Sequence, residues 1–166
     1  MSEIDHSNPK STAKVGGHPL HPMIVPFPIA FFISALVTDI IYLANGREGF
    51  AEASMWLLGA GLASAALAAI LGLIDFSGDR RVRAMKTAWA HMIANVMVVA
   101  LEAVSFYLRA GGDFRDAVAP SGVTLSFVSV VILAVSGWLG GELVYRGRVG
   151  IEDSDAHDHA RVRVRS

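Results

Sequence analysis

The chain has 166 residues, 53% of them hydrophobic and only 17% charged, with a formal net charge of −1 and no cysteine. That length fits one domain, and the near-neutral balance excludes a nucleic-acid binder, which needs a basic face. The lack of cysteine excludes disulfides, thiolate metal centres, iron–sulfur clusters and thiol catalysis. A mean hydropathy of +0.48, with the charges gathered in short connectors, is the pattern of a membrane protein.

Residues 1–17 are polar, with Ser7, Asn8, Pro9, Lys10, Ser11 and Thr12, and are expected to form a disordered tail. The apolar run that follows is too long for a signal-peptide core and shows no A-x-A cleavage site, so it is expected to stay as an anchor. That first segment, about 23–44, is entered through "GGHPLHPMIVPFPIAFF", where His18 and His21 stand among Pro19, Pro22, Pro26 and Pro28. Prolines in a first helical turn are tolerated because the leading N–H groups have no intrahelical partner. Pro26 and Pro28 fall deeper, and are expected to free carbonyls about four residues earlier, beside the histidines.

The second segment covers about 54–76 and closes on Asp75. On one face it carries Ala60, Ser64, Ala68 and Gly72, a small-residue seam for close helix packing. The third, about 87–108, carries His91, Asn95 and Glu102, with Arg109 just beyond its end. At 100° per residue these four fall within about 40° of one another, a single polar stripe. The fourth, about 123–144, holds Glu142 near its end and a Gly137-x-x-x-Gly141 motif, expected to serve packing within the chain. Each segment has about 20 residues, enough to cross a hydrocarbon core about 30 Å thick as a helix. The expected fold is all-α: an integral membrane bundle of four antiparallel transmembrane helices over 18–150, flanked by disordered cytoplasmic tails at 1–17 and 151–166.

Lys10, Lys14, Arg80, Arg81, Arg83, Lys86, Arg146 and Arg148 flank one side of these segments, with Arg161, Arg163 and Arg165 beyond. Only Arg47, Arg109 and Arg115 flank the other. The positive-inside rule then places both termini in the cytoplasm. In the tail, His157 and His159 with Asp155 and Asp158 read as a weak metal tract, or as a solvated segment whose arginines touch anionic lipid.

His18, His21, Asp75, His91 and Glu142 are expected at one membrane depth. Intramembrane ionisable groups are costly and face the bundle interior, which makes each a functional candidate. Imidazoles with nearby carboxylates suit divalent iron, zinc, copper or manganese, and His91 opposite His21 or His18 is the one arrangement for a single haem b. The bland alternative is a structural polar cluster, with Asp75 or Glu142 pairing with Arg80 or Arg146. Asp39 is expected to meet Glu102 or Arg109 across the bundle, so that Asp39, Asn95 and Glu102 form either a proton path or a hydrogen-bonded seam. No nucleophile elbow, H-E-x-x-H, phosphate loop or dinucleotide fingerprint is present.

"GHPLHPMIVPFPIA" (17–30) and "SGWLGGELVYRGRVG" (136–150) resemble a widespread family of small, uncharacterised bacterial inner-membrane proteins, and "GLIDF" (72–76) and "HMIANV" (91–96) fit the same pattern. The resemblance covers about 17–151 and implies four spans. Members often read Tyr-Arg-His-Gly-Val-Gly where this chain has Tyr145-Arg146-Gly147-Arg148-Val149-Gly150, so the histidine those members carry there is missing here.

Two functions follow as expectations. One is a redox-linked bundle with a metal ion or haem b at His21, His91 and His18, supported by Asp75 and Glu142, with a membrane redox partner or a second copy beside it in the lipid bilayer. The other is a non-catalytic subunit or small proton-coupled transporter built on the same polar residues.

Overall fold

The computed structural model describes residues 8–151. Residues 1–7 and the C-terminal tail from 152 onward, including the His157–His159 tract, lie outside the described residues.

The chain is almost wholly helical. A two-residue ribbon, β1 (Lys14–Val15) with β2 (His18–Pro19), leads into α1 (Leu20–Ile24) and α2 (Pro26–Asn45). After Gly46, α3 (Glu48–Gly78) and the short α4 (Arg80–Ala84) follow. Then come α5 (Lys86–Ala110), a kinked turn at Val118–Gly122 in which Ala119 is extended (φ −123°, ψ 137°), and α6 (Val123–Tyr145). Four stretches are long and apolar enough to span a membrane: Leu20–Asn45, Glu48–Gly78, Lys86–Ala110 and Val118–Tyr145. The second starts six residues before its expected position, because Glu48 in the first turn favours the positive end of the helix dipole.

The first span runs through Val25, whose backbone is α-helical (φ −51°, ψ −34°) and whose N–H donates to His21 O at 3.1 Å; α1 and α2 are divided where Pro26 has no N–H to donate. Gly46 ends α2 in a left-handed conformation (φ 68°), donating its N–H to Tyr42 O at 2.7 Å, a turn that favours glycine.

The bundle is inverted relative to a water-soluble one. Ile33, Val37, Ile40, Ile70, Leu73, Val96, Val104, Val131 and Val135 point outward, whereas Asp39, Ser54, Glu102, Ser105, Arg109, Ser126, Ser129 and Ser136 are buried. An apolar cluster of Phe32, Ala35, Leu58, Ala65, Val98 and Leu133 fills the remaining interior. Gly61 lies under the Phe32 ring, where a Cβ would come within 2.4 Å of Cε1. The expected packing role of Gly137 and Gly141 is not met within the chain: nothing lies within 4 Å of a Cβ at Gly137, and only its own helix's Tyr145 nears Gly141.

The two halves of the bundle repeat one another. On α3 the buried positions Ser54, Leu58, Gly61, Ala65 and Ala68 correspond, 68 residues later, to Gly122, Ser126, Ser129, Leu133 and Ser136, all buried. On α2, Pro28, Phe32, Ala35 and Asp39 correspond, 70 residues later, to Val98, Glu102, Ser105 and Arg109 on α5, again all buried. The α2–α3 and α5–α6 hairpins each pack closely, and α2–α6 with α3–α5 close the ring. The fold is thus two helical hairpins about a pseudo-two-fold axis.

Residues 8–17, expected as part of a loose tail at 1–17, instead form with 18–19 a strap across one end of the bundle. Asp75 Oδ1 accepts from Ser11 Oγ (2.9 Å), Thr12 N (2.7 Å) and Ala13 N (2.7 Å), and Thr12 Oγ1 donates to Ile74 O at 2.9 Å. Asp79 caps α4 by accepting from Arg81 N at 2.8 Å, and also accepts from Lys10 N at 3.0 Å. The Arg81 side chain bonded to Asp79 holds that carboxyl well below the usual carboxylate range. Gly150 N donates to Pro9 O at 2.9 Å, which ties the strap to the far end of the chain.

Candidate functional site: an axial polar column

His21 enters the bundle from α1, and its ring lies over α3. Nδ1–H donates to Ala68 O at 2.8 Å. A Cβ at Gly72 would come within 2.9 Å of the imidazole Cε1, so a glycine one turn beyond the carbonyl makes room for the ring. His91 repeats the arrangement in the second hairpin. Its Nδ1–H donates to Ser136 O at 2.9 Å, and a Cβ at Gly140 would lie 3.2 Å from its Cε1. The two rings meet near the pseudo-two-fold axis, with centroids 6.4 Å apart and planes at 87°. A carbonyl can only accept, so each Nδ1 carries the proton that is donated to it.

Asn95, one turn along α5, ties His91 in place. Its Nδ2 donates to His91 O at 2.8 Å and Ser136 Oγ at 2.7 Å, with His91 Nε2 at 3.2 Å. Asn95 thus links α5 to α6 through Ser136.

The other end of the axis holds a charge pair. Arg109 Nη1 and Nη2 each donate to an Asp39 oxygen at 2.7 Å, and both side chains are fully buried. Nη1 also donates to Ser54 Oγ (2.7 Å) and Nη2 to Ser105 Oγ (3.3 Å). Ser54 in turn donates to Ala35 O at 3.2 Å. A Cβ at Gly122, the repeat-equivalent of Ser54, would fall 2.7 Å from Nη2. One half thus offers the guanidinium a hydroxyl and the other offers it space. Fork geometry and full satisfaction of the carboxylate make this a strong pair.

Between the two ends stands Glu102, which is 0% exposed. Its repeat-equivalent is Phe32, which packs on Gly61. Glu102 has Ser129 at the Gly61-equivalent position and Ser126 at that of Leu58. Ser126 Oγ donates to Oε2 at a long 3.5 Å, while among the described residues Oε1 and Ser129 Oγ make no hydrogen bond of normal geometry. A lone buried carboxyl of this kind is costly and is a functional candidate by default.

The remaining expected residues do not join this column. His18 is exposed, its Nδ1 bonded to Gly16 O at 3.0 Å within its own turn. Asp75 is committed to the strap, and Glu142 pairs with Arg146 at 2.9 Å. Of the five residues expected around a metal or haem, the fold brings together His21 and His91. Among the described residues no group of three or more His, Cys, Asp or Glu is placed to hold a metal ion.

Several members of the column were not singled out from the sequence: Ser54, Ser105, Ser126, Ser129 and Gly122. Their signal is the offset of 68 or 70 residues between halves, which is carried by small or polar residues at buried positions rather than by identity.

A family model described as "Predicted membrane protein (DUF2231)" matches residues 17–153. No curated protein and no solved structure matches the chain.

Proposed function

The chain belongs to the DUF2231 family of predicted membrane proteins, and on that premise we propose that it is a small membrane protein whose axial polar column relays protons. The observation that carries this reading is Glu102, fully buried with an Oε1 that makes no hydrogen bond of normal geometry among the described residues, on one line with the histidine pair and the Asp39–Arg109 pair. His91 and Arg109 lie 18 residues apart on one helix, about 27 Å at 1.5 Å per residue, close to the thickness of a bilayer core. Buried hydroxyls of Ser136, Ser129, Ser126, Ser105 and Ser54 punctuate that length. A carboxyl held between a hydroxyl-lined interior and an imidazole pair takes and gives protons without moving a helix.

The cationic flanks support an orientation. Lys10, Lys14, Arg80, Arg81, Arg83, Lys86, Arg146 and Arg148 gather at the histidine end, which this reading places in the cytoplasm, with both termini, in a bacterial inner membrane.

The test is proton flux into proteoliposomes loaded with a pH dye under an imposed potential. The wild type is expected to exceed empty vesicles. Glu102→Gln, nearly isosteric but non-titrating, is expected to reduce the flux at least tenfold while keeping the helical circular dichroism. Equal flux in the two proteins would sink the reading.

The imidazole pair favours a second reading. Two rings 6.4 Å apart, each with its Nδ1–H fixed by a helix carbonyl, are oriented as metal-binding histidines usually are. This supports one transition-metal ion or haem b, which His21 and His91 would hold. Elemental analysis of purified wild type and His91→Ala tests it: about one metal per chain, lost in the variant, is the expected outcome, and no metal in either ends the reading.

A further inference from the structure

At the outer end of the bundle a groove of about 650 Å³ opens between α3 and α5, within the range of small-molecule sites. Its walls are Met55, Trp56, Gly59, Phe106 and Phe114, and Arg109 forms its polar element. Arg109 is 1% exposed, and its Nε is buried without a hydrogen-bond partner. Arg109 thus carries at the wall of an otherwise apolar, aromatic site one donor, Nε, that no described residue uses.

The repeat-equivalent positions in the other half of the bundle carry different side chains. The positions equivalent to Gly59 and Ala60 hold Phe127 and Val128, side-chain bulk where the first hairpin has almost none. The position equivalent to Arg109 holds Asp39, which has no donor to offer.

We infer that this groove binds a lipid-soluble quinone, its carbonyl oxygen accepting from Arg109 and its flat ring lying among Trp56, Phe106 and Phe114. The charge balance selects a neutral head. Asp39 already neutralises the guanidinium through two 2.7 Å bonds, and Glu102 is a further acidic neighbour, so a second anion gains little there. A neutral carbonyl satisfies the leftover donor without bringing in uncompensated charge. Aromatic walls favour a flat conjugated ring over a flexible acyl chain. The same acceptor chemistry exists in the ester carbonyl of a phospholipid, which is the competing source. This inference stands apart from the proton relay and survives its failure.

The experiment uses the full chain in nanodiscs with Trp89→Phe and Trp138→Phe, leaving Trp56 as the sole tryptophan, titrated with a decyl-substituted benzoquinone. Saturable quenching of Trp56 at one quinone per chain is expected, weakened at least tenfold by Gly59→Phe, which copies Phe127 into the groove. Ala60→Val, a smaller change copied from Val128, is expected to weaken binding several-fold and covers the case in which Gly59→Phe does not fold. Quenching that rises linearly with quinone content and ignores both substitutions would overturn the inference. So would displacement of the quinone by equimolar phosphatidylglycerol in lipid-free detergent, which would assign the groove to a phospholipid.

Discussion

Asp39 and Arg109 occupy equivalent positions in the two halves of the bundle, 70 residues apart, and join across the pseudo-two-fold axis through two 2.7 Å hydrogen bonds. Two identical halves could not place opposite charges there, so the pair marks a point at which the halves differ. Removing one partner strands the other in an apolar interior, at a cost of about 3–5 kcal/mol. Asp39→Asn is therefore expected to lower the thermal midpoint in detergent strongly. The double variant Asp39→Leu with Arg109→Met, which leaves no stranded charge, is expected to recover most of the loss. A double variant as unstable as the single one would show that the pair is held by more than charge compensation.

Gly122 gives a second handle on the same pair. An added Cβ would meet Ala117 O at 2.5 Å and Arg109 Nη2 at 2.7 Å. The backbone oxygen cannot swing aside, so Gly122→Ala is expected to destabilise by about 1–3 kcal/mol. The same change at Gly137, where nothing lies within 4 Å, is expected to be nearly silent. Thermal unfolding of the two variants side by side checks this, and equal effects would contradict the assigned geometry.

Much of this fold was legible in the sequence, because a membrane span is written as an unbroken apolar run with charges pushed to its ends. The polar stripe on α5 was legible for a related reason: His91, Asn95, Glu102 and Arg109 stand out against their surroundings. Matching depth allowed Asp39 two partners, Glu102 and Arg109, and did not choose between them. What the sequence concealed was commitment. Asp75 resembles a free ligand until Ser11, Thr12 and Ala13 are seen donating to it, and those donors sit in a segment whose composition reads as disordered. The repeat was hidden because burial constrains size and polarity, not identity: Phe32 and Glu102 share a place in the fold and nothing in chemistry.

Glu102 separates structural from functional roles. Among the described residues its Oε1 makes no hydrogen bond of normal geometry, so it contributes little to stability where it stands. Glu102→Leu is expected to leave the thermal midpoint unchanged or raised, while abolishing the proton flux described above. A large loss of stability in Glu102→Leu would instead identify the carboxyl as a packing element and remove the case for a relay.

The absence of native cysteine makes the orientation directly measurable. Single cysteines at Arg83 and Arg115 lie at opposite ends of the bundle. In intact cells, a membrane-impermeant maleimide is expected to label Arg115→Cys and to spare Arg83→Cys until the membrane is opened. The reverse pattern would place the termini outside and the histidine pair with them.

The strap gives a pH prediction with a definite sign. Arg81 holds the Asp79 carboxyl below its ordinary range, so the folded state favours the ionised form. The stability this contributes is fully present above about pH 4, the unfolded value for Asp. It is lost as pH falls through the still lower folded value. Lys10 N, bonded to Asp79 Oδ2, reports on it. Hydrogen exchange around Lys10, corrected for the intrinsic rate, is expected to show constant protection from pH 7 to about 4 and a decline only below that. Asp79→Ala removes the cap of α4, a loss of about 1 kcal/mol, and is expected to lower protection about fivefold at neutral pH, with no further decline attributable to this carboxyl in acid. Protection that already falls between pH 7 and 5 would mean that some other group, and not Asp79, fastens the strap at this point.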